Sequence, residues 1–215
     1  MITGLGPAQA LLILQGLKWP LLLSVIAFIG GGVGGFGIAL CRTATPRWLR
    51  VASAAFIETF RGTPLLLQLF MVYYGLALLD FPMDPWIAVA IGFTLNASAF
   101  LGEIWRGSID AVPKGQAEAA KALGLHYWPR MRLVVLPQAL RTAVPPTVGF
   151  LVQLIKGTSL AAIIGFTELA RTGQQLSNIT YQPLLVYSVI GAVYFVICWP
   201  VSWFGRRMER RLATG

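Results

Sequence analysis

Apolar residues in this chain gather into long runs, with polar residues collected between them, rather than alternating with the period of an amphipathic helix or a half-buried strand. Five runs stand out, at 19–41, 51–79, 86–104, 147–164 and 184–204. A segment surrounded by hydrocarbon must satisfy its own backbone hydrogen bonds, so each run predicts a helix rather than an open strand. At about 1.5 Å per residue, even the shortest crosses most of a hydrocarbon core of about 30 Å. The second run is uneven. Its clean apolar part is 63–79, which puts Glu58 and Arg61 at a membrane edge.

Composition turns buried helices into membrane helices. The 215 residues are 56% hydrophobic and 12% charged, where a soluble domain carries about a quarter charged residues. The mean hydropathy is +0.70. The expectation is an all-α membrane protein of five transmembrane helices, one integral domain over 1–215. The first twenty residues lack the basic start and small-residue cleavage site of a signal peptide, so the first helix is read as retained. Cys41 and Cys198 lie at or inside apolar runs, with no neighbouring His or second Cys to suggest a metal site or a disulfide framework.

Charge sets the direction, because short loops rich in Lys and Arg stay in the cytoplasm. Arg42, Arg47 and Arg50 follow the first run; Arg106, Lys114, Lys121, Arg130, Arg132 and Arg141 follow the third; Arg206, Arg207, Arg210 and Arg211 follow the last. The opposite side has Lys18 and Arg171 against Asp80, Asp84 and Glu168. The N-terminus is therefore expected outside and the C-terminus inside. This pattern also accounts for the net charge of +9, and no nucleic-acid motif accompanies it. Trp19, Trp86, Trp199 and Trp203 fall near run ends, where interfacial anchors sit. The spacings Gly30 to Gly34 and Gly31 to Gly35 let another helix approach closely, either within this chain or in a second copy.

One stretch does not belong to lipid. Pro113 to Gly115 is a turn-like lead-in, 116–123 are good helix formers, and Gly124 suits the left-handed residue that ends a helix. A helix of about two turns is too short to be stable alone, so it needs a surface. Ala119, Ala120 and Ala122 permit close approach, and Glu118 and Lys121 offer charge contacts. A solvated connector and a docking element are equal readings on composition. Spacing separates them. From Glu118 the sequence runs Glu-Ala-Ala, three residues, Gly124, nine residues, then Val134-Val135-Leu136-Pro137.

That pattern resembles the EAA signature of the membrane subunits of bacterial ATP-binding-cassette importers, with Val134 in place of the usual Ile. The stretches FRGTPLLLQ at 60–68, EIWRG at 103–107, VPKGQ at 112–116 and IKGTSL at 155–160 are similar to the polar amino acid permease branch of that family. In that branch Asp or Asn often follows the Lys, where this chain has Gly157. The resemblance implies a type I importer permease fold, multi-pass in the bacterial inner membrane, with a periplasmic N-terminus and a cytoplasmic C-terminus. It further implies a second permease subunit, identical or related, a pair of ATPase subunits that use ATP and Mg, and a periplasmic binding protein that delivers a polar amino acid. Segment 113–137 would couple to the ATPase, through Glu118, Ala119, Ala120, Gly124, Leu136 and Pro137. No cofactor is expected in this chain itself.

Polar groups inside the apolar runs need a partner or a purpose, since ionisable residues there cost roughly 2.5–3.5 kcal/mol on insertion scales. Counted from Trp86, Asn96 lies about 15 Å into its helix and Glu103 about 25 Å, near the cytoplasmic end. Glu103 with Arg106 and Glu58 with Arg61 have helical pair spacing, for structural ion pairs or for parts of a gate. Gln153 and Lys156 share a helical face, followed by Thr158 and Ser159. Lys156 lies too deep to reach the surface easily, so it is expected to face the bundle interior or a water-filled path. Asn96, Gln153, Lys156, Thr158 and Ser159 are the expected substrate path; the alternative for Lys156 is a pairing with carbonyls or an acid.

Other functions fit less well. No GxxxxGK[ST] loop is present, so ATP is expected on a partner. No HExxH motif or nucleophile–base set marks an enzyme, and the single His126 lies in the predicted cytoplasmic segment as an interface residue. The competing class is an ion-coupled secondary transporter or channel working without an ATPase, with Glu58, Glu103 and Lys156 as a charge relay.

Overall fold

A computed structural model describes residues 6–213, and the regular elements among them are all helical. In chain order they are α1 (Pro7–Thr43), α2 (Arg47–Gly62), α3 (Leu65–Phe70), α4 (Leu76–Leu78), α5 (Pro85–Asp110), α6 (Lys114–Ala122), α7 (Tyr127–Arg130), α8 (Leu136–Gly157), α9 (Leu169–Thr180) and α10 (Pro183–Ala213). A π-helical turn, Met71–Gly75, joins α3 to α4; another, Met131–Val135, joins α7 to α8; and a 3₁₀ segment, Thr158–Ile164, extends α8. Among the described residues four helices are long and apolar enough to cross a membrane: Pro7–Thr43, Pro85–Asp110, Tyr127–Ile164 and Pro183–Arg211. A shorter apolar helix covers Leu65–Leu78.

The bundle is organised around the α1–α5 seam. Gly31 and Gly35 lie directly on Ala97, Ser98 and Gly102, and a Cβ at Gly35 would come within 2.9 Å of the Gly102 amide nitrogen. Lipid tails are as apolar as Leu, so helices gain little hydrophobic drive by leaving them, and close backbone packing must supply the attraction. The glycine spacing therefore serves this chain's own packing. Phe93 and Leu101 of α5 are fully buried beside Leu23 and Ala27 of α1. α8 closes the third side: Phe100 stacks on Phe150 at 5.3 Å, and Trp105 Nε1 donates to Thr147 Oγ1 at 2.9 Å. Outward positions such as Val25, Ile29, Val33, Phe195 and Val196 are more than half exposed, which suits a lipid surround.

Two expectations are corrected. The run at 51–79 is two helices, broken at Thr63–Pro64. Pro64 has no N–H to donate and drives Thr63 into the extended region, φ −113° and ψ 145°. The run at 147–164 is part of a helix that starts at Tyr127, because Pro129 sits in a first turn, where no N–H is needed, and Pro137 follows a π turn. Pro137 cannot donate to the carbonyl four residues back, so the ladder widens there, and Gln138 Nε2 donates to the Val134 carbonyl at 2.8 Å. Trp19 and Trp86 are half-buried, edge-on to each other and to Phe166 at centroid distances of 6.0–6.4 Å. Trp199 and Trp203 are the exposed pair.

Candidate functional site

The break at Pro64 leaves carbonyls without helical partners, and one side chain takes them up. Gln68 Nε2 donates to the carbonyls of Phe60 at 2.7 Å and Thr63 at 3.0 Å and to Thr63 Oγ1 at 3.0 Å. Its Oε1 accepts from Asn96 Nδ2 at 3.0 Å. Both amides are buried, at 7% and 6% exposure, so this polar link joins the broken helix to the middle of α5. Gly157, at the end of α8, lies beside it: a Cβ there would stand 3.5 Å from Leu65 and 3.6 Å from Phe93, ordinary contact distances. An interrupted helix whose loose backbone ends meet polar side chains is the kind of place where transporters bind substrate.

The rest of the expected path divides. Thr158 is fully buried and donates to the Ile155 carbonyl at 2.6 Å, while Ser159 donates to the Lys156 carbonyl at 2.8 Å. Gln153 and Lys156 are exposed on the outer face of α8, with Lys156 in electrostatic range of Cys198 on α10. Within this chain Lys156 faces no interior. Two residues that the sequence did not single out as site residues join Thr158: the buried Glu168 and the half-buried Tyr194. Glu168 caps α9, accepting from the Ala170 and Arg171 amides at 2.8 Å each, and Tyr194 of α10 donates to it at 3.0 Å beside Thr158. Burial pushes the Glu168 carboxyl above its usual range, and these three donors oppose the shift. The signal for Glu168 was its place directly before an amphipathic helix, an N-cap position.

A charged cluster occupies the far end of α5. Glu103 receives Arg106 Nε at 2.8 Å and Nη2 at 2.7 Å, a two-pronged contact, and Arg106 also reaches Asp110 at 2.5 Å. Arg61 lies 3.7 Å from Glu103 and stacks over Phe100 at 5.5 Å. Among the described residues Arg61 therefore pairs across helices with Glu103 and not with Glu58 along α2, because the apolar ring of Phe100 leads its guanidinium toward α5.

Beyond α5 the chain turns into α6, and its end explains the Glu118 to Gly124 spacing. Gly124 has φ +78°, its amide donates to the Lys121 carbonyl at 2.9 Å, and the Leu125 amide donates to the Ala120 carbonyl at 3.1 Å. This paired closure of the last turn requires a left-handed residue. α6 rests on the Met131–Val135 turn through Ala120, which is 4% exposed. Ala120 is thus covered within this chain. Glu118, Ala119 and Gly124 are exposed, Leu123 is 83% exposed and Trp128 65%. Pro137 is exposed as well, whereas Leu136 lines a cavity of about 240 Å³ between α1, α5 and α8 with Phe36 and Trp105. The turn under α6 is therefore mechanically continuous with the membrane helices.

The family described as binding-protein-dependent transport system inner membrane component matches residues 31–214. The glutamine transport system permease protein GlnP of Escherichia coli (strain K12) is 36% identical over 212 residues, 98% of this chain and 96% of that protein. The arginine transport system permease protein ArtQ of Bacillus subtilis (strain 168) is 36% identical over 203 residues, 94% of this chain and 93% of its own length. Among solved structures, an amino acid ABC transporter with histidines superposes with a TM-score of 0.88 at 33% identity, covering 94% of both chains. The MetNI methionine ABC transporter in an inward-facing form shares the fold, with a TM-score of 0.82 at 20% identity over 96% of this chain and 99% of that one. These relatives are permeases and ABC transporters rather than ion-driven carriers, and the charge-relay reading of Glu58, Glu103 and Lys156 finds no support among them.

Proposed function

The chain belongs to the family of binding-protein-dependent transport system inner membrane components, and from that premise we propose how its parts divide the work of importing a polar amino acid. It is a multi-pass membrane protein, the permease subunit of an ATP-binding-cassette amino acid importer, and not an enzyme. ATP and Mg are used by a separate ATPase. In the proposed arrangement α2 and the helix Leu65–Leu78 form one broken span, which with the four long helices makes five. The N-terminus faces the periplasm and the C-terminus the cytoplasm across a bacterial inner membrane, as the Arg-rich ends favour.

The observation that carries the coupling assignment is the outward face of α6. A two-turn helix is anchored from below by Ala120, closed by Gly124, and left with Glu118, Ala119 and Leu123 exposed at the Arg-rich end. We assign this face, together with Leu136 and Pro137 at the start of α8, to the ATPase pair. Gln153 and Lys156 are charged or polar groups on an otherwise lipid-like surface, so a second permease subunit, identical or related, is the natural cover for them. The substrate then passes along the face that Gln153, Lys156 and Ser159 present to that subunit, backed by the buried Gln68–Asn96 link and Thr158, with the Glu103–Arg106–Arg61 cluster closing the cytoplasmic side and a periplasmic binding protein supplying the outer one. In proteoliposomes holding the whole complex, Asn96→Ala and Lys156→Ala should each slow uptake while ATP hydrolysis persists. Normal uptake in both sinks the path assignment. Uptake without the ATPase sinks the importer reading.

A further inference from the structure

Between the ends of α1, α2 and α5 lies a cavity of about 450 Å³ lined by Arg42, Ala54, Ile57, Glu58, Arg61 and Glu103. Its charges fall into two groups. Glu103 is committed, since Arg106 holds both of its oxygens and Arg61 stands 3.7 Å away. Arg42 feels the Glu103 carboxylate electrostatically but makes no ion pair with it, and Glu58 is uncommitted. Arg42 Nε is buried with no hydrogen-bond partner, and no ion pair joins Glu58 to a cation among the described residues. A buried guanidinium N–H without an acceptor is destabilising unless a ligand brings one.

Opposite charges on one cavity select a zwitterion. A lone anion such as phosphate meets Glu58 and Glu103 along with Arg42, and a lone cation meets both arginines. We propose that this cavity is a cytoplasm-side site for a free α-amino acid, with its carboxylate on Arg42 and its ammonium on Glu58. The assignment rests on the transport reading above, which makes an amino acid the species released at this end. Ala54 and Ile57 give the side chain a small apolar wall, and the groups that are read are common to all α-amino acids. The site therefore senses the class and not the individual. An occupant sits against the Glu103 cluster, so cytoplasmic amino acid acts directly on the helices that the cluster ties together.

The test uses the complete complex in proteoliposomes, with the ATPase and ATP in the lumen and the binding protein outside. Initial uptake of whichever of glutamine, arginine and cystine the complex carries is measured against graded luminal glutamine. Each variant is normalised to its own rate at zero luminal glutamine. Luminal glutamine is expected to slow uptake saturably, and Arg42→Gln to raise the half-effective concentration about tenfold or more, the worth of a charged hydrogen bond. Ala54→Leu, which fills the cavity without touching either charge, should do the same, and it carries the test if Arg42→Gln fails to insert. Uptake that ignores luminal glutamine, or a response identical in both variants and the unaltered chain, overturns the site and leaves the transport reading standing. Permanent occupation by phosphatidylethanolamine, which carries the same pair of charges, would give that insensitive result. No uptake at all with an empty lumen removes the transport reading, and this site with it.

Discussion

α1 and α6 are both rich in small residues, and they use them in opposite ways. On α1, Gly31 and Gly35 are pressed against Ala97, Ser98 and Gly102 of α5, where no side chain of any size fits. On α6 only Ala120 is buried, against the turn beneath it, while Gly115, Ala119 and Ala122 look outward. The same absence of side-chain bulk therefore serves a permanent intrachain seam in one helix and leaves a free surface in the other. What separates the two is the solvent around each. A glycine stripe within lipid gains nothing until a neighbouring backbone closes on it, whereas a short polar helix in water can remain half covered until a partner arrives.

The sharpest way to break this contrast is Gly31→Leu. The new side chain meets the Ala97 and Ser98 backbone, and overpacking of this kind costs roughly 1–3 kcal/mol or more. Little folded protein should survive detergent extraction, as judged by size-exclusion chromatography. An equivalent insult on α6 should spare the fold. Gly124→Val forces a β-branched residue to φ +78°, a strain of about 1–3 kcal/mol confined to one turn. The chain should insert at normal levels yet lose most ATP-driven uptake.

Effects in the polar middle should be smaller and thermodynamic. Gln68→Leu strips the Phe60 and Thr63 carbonyls and Asn96 of a partner, at about 1–3 kcal/mol. A lower melting temperature in detergent is the readout. The smallest effect concerns Glu168. Its folded pKa is raised above the ordinary 4.5, so the folded state holds its proton more tightly than the unfolded one does. The associated stability is full below the ordinary carboxylate range and is lost as pH rises through the folded pKa. Melting temperature should fall over that window, and Glu168→Gln should flatten the fall.

Much of this was legible in the residues. The apolar runs marked every long helix, and the Glu118 to Gly124 spacing located α6 and its left-handed end, because run length and turn chemistry are local properties. Three things were not. The second run was uneven, clean only from residue 63 on, but that Pro64 breaks it into two helices needed Thr63's extended backbone to become visible. Gln68 sat among leucines, and its link to Asn96, twenty-eight positions later, has no local signal. Arg61 could be matched by spacing to Glu58, yet tertiary packing took it to Glu103. The last two misses are contacts between helices, which sequence periodicity does not encode.

The central claim is that the outward face of α6 receives the work of the ATPase. Glu118 is exposed there and makes no contact that the fold needs, so Glu118→Arg should leave insertion and melting temperature unchanged. ATP hydrolysis and amino acid uptake measured together on one proteoliposome preparation decide the matter. The account predicts uptake at background for Glu118→Arg, with hydrolysis no longer stimulated by the loaded binding protein. Uptake and stimulated hydrolysis both at the level of the unaltered chain would contradict it.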